Sequence, residues 1–102
     1  ATAAAAAVGA SPLETGRSDT DVVVALDRSA SEGEVYPVVL VSYLAACGTY
    51  ADANVATLVK SYLSYVVSES GQAAAAANAG SAPLTSDPTL AAKAAAAVAA
   101  IN

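Results

Sequence analysis

Residues 35–47 read V-Y-P-V-V-L-V-S-Y-L-A-A-C and form the longest strongly apolar run in this chain of 102 residues. Turn-forming sequence bounds the run on both sides, with D-R-S-A-S-E-G-E at 27–34 and G-T-Y at 48–50. A continuous apolar run between turn signals is typical of a strand buried on both faces. Pro37 fits near the start of such a strand, where its missing N–H costs no ladder hydrogen bond. Since 13 residues are too few to cross a bilayer, the run predicts a buried strand and no membrane span in this segment.

A second, shorter run of β-branched residues, D-V-V-V-A-L at 21–26, also predicts a strand. Upstream of it, the alanine-rich residues 1–8 favour a helix, because alanine has the highest helix propensity. Gly9 and Pro12 follow this helix and are expected to stop it.

Downstream of the apolar run, the spacing of hydrophobic residues predicts an amphipathic helix. Asp52 is a suitable N-cap. The apolar residues that follow at helical spacing are Val55, Leu58, Val59, Tyr62, Leu63 and Val66. We expect this helix to end near Gly71, with Tyr62 in the core and Tyr65 at its boundary.

Two more helices are predicted after this one. Residues 72–79 favour a short alanine-rich helix that Gly80 stops. Asp87 followed by Pro88 is a strong helix start, and the apolar face of the last helix comprises Leu90, Ala94, Val98 and Ile101. The predicted order is helix, strand, strand, helix, short helix, helix, which is an α/β class, or α+β for a fragment.

The composition limits both the core and the chemistry. The chain has 29 alanines, only 22 Leu, Ile and Val residues together, and no Phe, Trp or Met. Alanine buries only a methyl group, so the core is expected to be thin and the chain to be part of a larger protein. The absence of histidine and the single cysteine remove the commonest general base and metal ligands. A net charge of −5 disfavours nucleic-acid binding.

Several polar clusters are candidate sites. Residues 17–21, R-S-D-T-D, carry a guanidinium and hydroxyls that suit an oxyanion, but a solvated loop is the favoured interpretation, as it is for D-R-S at 27–29. Glu32, Glu34 and Asp27 are expected to form a charged turn rather than an acid–base pair. Cys47 is expected to be a buried structural thiol rather than a nucleophile. The sequence therefore predicts a protein that is not an enzyme, with no catalytic, ligand-binding or metal-binding residue in this segment.

Four segments together carry a resemblance to a known family. They are Y-P-V-V-L-V-S-Y at 36–43, Y-A-D-A-N-V-A-T-L-V-K-S-Y-L-S-Y-V-V-S-E-S-G-Q at 50–72, A-G-S-A-P-L at 79–84 and L-A-A-K at 90–93. In this order the segments resemble the C-terminal part of the phosphate-binding proteins of ABC importers (the PstS type), particularly those of high-GC Gram-positive bacteria. The resemblance covers about residues 35–101, and it rests on order and spacing, since none of the motifs is diagnostic alone.

The resemblance implies a two-lobed fold of the type II periplasmic-binding-protein class, in which phosphate is held between the lobes and released to a membrane permease. Residues 1–34 would belong to the second lobe, 35–47 would form an inter-lobe strand, and 48–102 would be helices returning to the first lobe. The family's ligand residues come mostly from upstream segments, so none is assigned here. The implied partners are inorganic phosphate, the ABC permease and the remainder of the chain, in an extracytoplasmic location and without a cofactor.

A second hypothesis of a different class stays open. The chain would then be a self-contained acidic structural or interaction module, whose amphipathic helix at 52–68 packs on a partner. Intact mass separates the two hypotheses, because a cooperatively melting species near 9.8 kDa favours the module and a larger mass favours the binding protein.

Overall fold

The computed structural model describes residues 1–29 and 33–102. Over these residues the chain forms four α-helices and one 3-10 turn: α1 (Thr2–Gly9), α2 (Ala53–Val67), α3 (Glu69–Ala79), the 3-10 turn Leu84–Ser86 and α4 (Pro88–Ala99). No β-strand occurs in the described ranges. The predicted α/β class, with the strand-containing two-lobed architecture that the resemblance implied, is therefore wrong for this chain, which is all-helical.

The first predicted strand, at 21–26, is irregular. Only Val24 takes part in β-pairing, through an isolated antiparallel bridge to Leu13. The backbone N–H of Glu14 donates to Val23 at 2.8 Å, and that of Ala25 donates to Pro12 at 2.8 Å. A single bridge of this kind is too short a pairing to form a ladder, so the β propensity of the three valines is not realised.

The second predicted strand, at 35–47, also has no regular secondary structure. One backbone hydrogen bond holds its beginning, from the N–H of Tyr36 to the carbonyl of Ala3 in α1 at 3.1 Å. A β-strand is stabilised by its neighbours and not by its own sequence alone. Because no described segment pairs with residues 38–46, the prediction of a buried strand is wrong here.

The helix boundaries follow the predicted capping residues more closely. Asp52 Oδ1 accepts from the N–H of Asn54 at 2.8 Å, and Asp87 caps α4 in the same way with Pro88 at its first position. Gly80 ends α3 in the left-handed conformation at φ 65°, which a residue without a Cβ adopts at no steric cost. These starts and stops are confirmed, as is the helix at the beginning of the chain.

The helix predicted to run from Asp52 to near Gly71 breaks earlier, at Ser68. This residue is extended (φ −73°, ψ 161°) and lies between α2 and α3. Its hydroxyl donates to the carbonyl of Tyr65 at 2.6 Å and accepts from the N–H of Gly71 at 3.2 Å. A serine side chain that satisfies backbone groups in this way competes with continued helix, so Ser68 ends one helix and caps the next.

Gln72 fixes the corner that Ser68 creates. Its Nε2 donates to the carbonyl of Val66 at 2.8 Å, and its Oε1 accepts from the N–H of Leu84 at 2.6 Å. One side chain thereby satisfies a carbonyl at the end of α2 and an N–H at the start of the 3-10 turn. The Gln72 amide group therefore links α2, α3 and the 3-10 turn.

The packing is concentrated in the second half of the chain. α2 lies against α3 and α4, and the 3-10 turn lies against α3 and α4. Lys60 Nζ crosses from α2 to the end of α4, where it donates to the carbonyls of Ala99 at 2.6 Å and Ile101 at 3.0 Å. A cation at this end also complements the negative pole of the α4 dipole.

The core is small. The buried hydrophobic residues are Ala7, Val24, Ala56, Leu63 and Ile101. The chain is also flat, with extents of 47 × 34 × 18 Å, and its radius of gyration of 14.5 Å exceeds the ~13 Å expected for a compact domain of this length. The thin core agrees with the alanine-rich composition.

Candidate interaction surface

The apolar face of α2 is only partly covered. Ala56 and Leu63 are buried, and Val59 and Val66 beside them are half-buried. The large apolar side chains that stay exposed on α2 are Val55, Leu58, Tyr62 and Tyr65, hereafter the α2 stripe. At 100° per residue these four positions span an arc of about 80°, next to the buried residues and on the same side of the helix.

The prediction that Tyr62 packs in the core is therefore wrong, since 60% of it is exposed. The signal that could have identified the α2 stripe was the width of the hydrophobic arc. From Tyr65 round to Ala56 the apolar positions cover about 180°, against the roughly 100° that one core-facing helix needs. The neighbouring α3 and α4 cover one half of this arc and leave the other in solvent.

Residues 35–42 show a second uncovered surface, with strand-like alternation. Their half-buried residues are Val35, Pro37, Val39 and Val41, and their exposed residues are Tyr36, Val38, Leu40 and Ser42. Exposure reaches 71% at Val38 and 91% at Leu40. A period of two in burial is the property of a strand whose successive side chains point to opposite faces. This segment thus has the side-chain pattern of a strand without its pairing.

The backbone of residues 38–46 is correspondingly open. None of their N–H groups donates to a described residue. Arg28 Nη1 donates to the carbonyls of Pro37 at 3.5 Å and Val39 at 3.2 Å. Further along, the hydroxyl of Tyr43 accepts from the N–H of Val24 at 3.0 Å. Arg28 and Tyr43 hold the segment against residues 24–28 while its own N–H groups stay unpaired with the rest of the described chain.

Both uncovered surfaces lack charge. Residues 35–51 contain no Asp, Glu, Lys or Arg. In α2 the single charged residue is Lys60, which is engaged with the end of α4. The net charge of −5 is therefore carried elsewhere, and the exposed apolar residues form uncharged surface.

In the candidate oxyanion loop at 17–21, the polar side chains pair with one another. Arg17 pairs with Asp21 at 3.3 Å, and the hydroxyls of Ser18 and Thr20 are 3.1 Å apart. All four residues are exposed. The groups that suit an oxyanion are thus already paired with one another, which favours the solvated-loop interpretation.

The second polar cluster forms a turn. Asp27 Oδ1 accepts from the N–H of Ser29 at 2.9 Å and from its hydroxyl at 2.6 Å, as an Asx turn does. Arg28 is occupied with the carbonyls described above, a role that the sequence did not indicate. Glu34 is exposed, and Glu32 lies outside the described residues.

Cys47 is exposed, so the prediction of a buried structural thiol is wrong. That prediction depended on a covered strand, and residues 42–49 are all exposed. The backbone N–H of Cys47 donates to the hydroxyl of Tyr50 at 3.0 Å.

Two shallow depressions lie between α1 and the start of α4. The larger, of about 520 Å³, is lined mainly by alanine, glycine and proline, with Asp87 as its charged residue. Asp87 Oδ1 is used for capping α4, and the other polar side chains of this lining are those of Thr2 and Ser86. The described ranges also contain no group of metal-ligating residues, and no described helix is both long and apolar enough to span a bilayer.

The chain was compared with known protein families, curated proteins and solved structures. No protein-family model, curated protein or solved structure matches the chain. The resemblance to phosphate-binding proteins therefore stays a prediction, and the uncovered apolar surface is the principal candidate for a functional feature among the described residues.

Proposed function

We propose that this chain is the C-terminal portion of an extracytoplasmic, non-enzymatic substrate-binding component that delivers inorganic phosphate to an ABC permease. The four ordered segments at 36–43, 50–72, 79–84 and 90–93 support the choice of phosphate. The uncovered apolar surface supports the view that the chain packs against a larger body, which would be the remainder of its own polypeptide.

The exposure of several large aliphatic side chains carries this proposal. Leu40 is 91% exposed and Leu58 is 71% exposed, while the buried core consists of two alanines, one valine, one leucine and one isoleucine. Burying a leucine contributes about 1.5–3 kcal/mol, and contiguous apolar surface marks a site of interaction. Covering residues 36–44 and the α2 stripe would bury several large apolar side chains that the chain alone leaves in solvent.

The proposed role of this portion is packing and not ligand contact. Its candidate anion groups, Arg17, Ser18 and Thr20, are exposed and paired within their own loop. The predicted assignment of residues 1–34, 35–47 and 48–102 to different parts of the larger protein stays a prediction. We expect the isolated chain to bind no phosphate and the larger polypeptide to bind it.

Intact mass and calorimetry test the proposal together. An antibody raised against residues 88–102 would isolate the natural polypeptide for mass spectrometry, and inorganic phosphate would then be titrated into it, with sulfate as the matched control anion. The proposal expects a mass several-fold above the 9.8 kDa of this chain and saturable heat with phosphate. A natural mass equal to that of the 102-residue chain, or a larger protein without phosphate binding, would contradict it.

The α2 stripe favours a second candidate, an interaction module that uses the helix at 52–68. Val55, Leu58, Tyr62 and Tyr65 present an uncharged apolar ridge of the kind that enters a partner's groove. This candidate expects the natural polypeptide to have the mass of this chain alone, and the chain to unfold in a cooperative thermal transition. A broad, non-cooperative transition would count against it.

A further inference from the structure

We propose that the even-numbered backbone groups of residues 38–44 form a pairing edge that binds the same edge of a second copy of this chain, as an antiparallel two-stranded ladder. The inference does not rest on phosphate binding, because it concerns what the chain does when no other polypeptide covers this segment.

The alternation of burial over residues 35–42 is the pattern that a strand gives. In a strand, the N–H and C=O of one residue point toward the same edge, and successive residues point toward opposite edges. The odd-numbered residues face one edge of the segment. At the beginning of that edge, Arg28 donates hydrogen bonds to the carbonyls of Pro37 and Val39. The edge of the even-numbered residues is held at its start by the hydrogen bond from the N–H of Tyr36 to Ala3 in α1. From Val38 to Leu44 this edge has no hydrogen-bonding partner among the described residues.

An open row of N–H and C=O groups is a template for another strand. Proteins usually protect such an edge with charged side chains, proline or a bulge. After Pro37 this segment has none of these charges and no second proline, since residues 38–44 read V-V-L-V-S-Y-L. Its composition, which is β-branched and apolar and lacks glycine, is that of segments that pair strongly when exposed.

A second copy is the occupant that the charge distribution favours. Two chains of net charge −5 repel one another over most of their surface, but residues 35–51 carry no charge at all. An isologous contact across a two-fold axis places the same segment opposite itself. Here that contact brings no like charges together, and self-pairing of 38–44 sets the exposed Val38 of each copy opposite the exposed Leu44 of the other.

The test is a backbone substitution that leaves every side chain in place. Native chemical ligation at the Ala46–Cys47 junction gives the full 102-residue chain with a single N-methyl group at Leu40 or at Val41. N-methyl-Leu40 removes a donor from the proposed edge, and N-methyl-Val41 removes one from the opposite edge as the matched control. Sedimentation equilibrium from micromolar to millimolar concentration, under reducing conditions that exclude a Cys47 disulfide, measures the dimer. Far-UV circular dichroism verifies that the helices persist.

The proposal expects the unmodified chain to dimerise, with an infrared amide I band of antiparallel β-structure that grows with the dimer. N-methyl-Leu40 should raise the dimer Kd by about tenfold or more, and N-methyl-Val41 should leave it within about twofold. A monomer up to millimolar concentration overturns the proposal whatever the variants do. So does equal weakening by both methyl groups, or a dimer that survives N-methyl-Leu40 and is lost in Leu58→Lys on the α2 stripe.

Discussion

Replacing Gly71 by alanine should destabilise the chain, although alanine is the better helix former. Gly71 lies in the first turn of α3 and is buried. A Cβ there would overlap the carbonyl oxygen of Tyr65 and would lie 3.0 Å from the carbonyl carbon of Tyr65 and 3.2 Å from the carbonyl oxygen of Val66. All three atoms belong to the backbone of α2, so they cannot rotate away as a flexible side chain would.

Two effects of opposite sign decide the magnitude. Higher helix propensity favours alanine over glycine by about 1 kcal/mol. Overpacking against fixed atoms costs about 1–3 kcal/mol, occasionally more. Moving α3 outward to relieve the overlap also lengthens the bonds from Gln72 to Val66 and Leu84, each contributing about 0.5–1.5 kcal/mol. The overpacking and the weakened hydrogen bonds outweigh the gain in helix propensity. We therefore expect the free energy of unfolding to fall by about 2–4 kcal/mol.

Urea unfolding followed by far-UV circular dichroism measures this loss. Gly48→Ala is the matched control, because nothing lies within 4 Å of a Cβ at Gly48 and its φ lies outside the left-handed region. The control should stay within about 0.5 kcal/mol of the parent chain. An unchanged or raised stability of Gly71→Ala would refute the close approach of α3 to the end of α2, because propensity alone would then account for the result.

Three further groups of substitutions test the hydrogen bonds that hold and cap the elements. Gln72→Leu should cost about 2 kcal/mol by leaving polar groups of two elements unpaired, and Gln72→Glu, which keeps the acceptor, should cost less. Lys60→Met should cost about 1–2 kcal/mol, whereas Lys93→Met, which changes the charge equally without losing a described contact, should be nearly neutral. Asp87→Ala should cost about 1 kcal/mol through the lost cap, and Asp19→Ala in the exposed loop almost nothing. Thermal and urea unfolding measure all of these variants, and a loss shared equally by the Lys60 and Lys93 variants would argue for net charge instead of the bridge to α4.

The helices were predictable because their signals are local. Asp52, Asp87 and Gly80 act on backbone groups within four residues of themselves, so their effect on a boundary can be read without knowing the rest of the fold. The break at Ser68 was also a local effect, but a serine inside an apolar period gives a weak signal. Its capping role depends on Gly71, whose small size lets α3 turn back onto α2.

Local signals of this kind could not decide whether the two predicted strands form. A run such as V-V-L-V at 38–41 indicates that the segment can fit into a sheet. Whether it forms a strand depends on pairing with another segment. The described residues offer only the isolated bridge at Val24. The predicted burial of Tyr62 and of Cys47 was wrong for the same reason, because both predictions assumed a layer of structure that would cover these side chains.

The backbone pairing of Asn102 with the loop before α2 has a consequence for how the molecule opens. The N–H of Asn102 donates to Gly48 at 3.0 Å, and the N–H of Tyr50 donates back to Asn102 at 2.8 Å. This reciprocal pair ties the two ends of residues 48–102 to each other, so α2, α3 and α4 lie inside one closed loop of chain. Within the described part of the chain, residues 1–47 attach to that loop by few hydrogen bonds, such as the one from the N–H of Cys47 to the hydroxyl of Tyr50. Amide protons of α2 and α4 should therefore exchange with solvent together and last, while the hydrogen-bonded amides of residues 1–29 exchange through smaller openings that leave the loop intact.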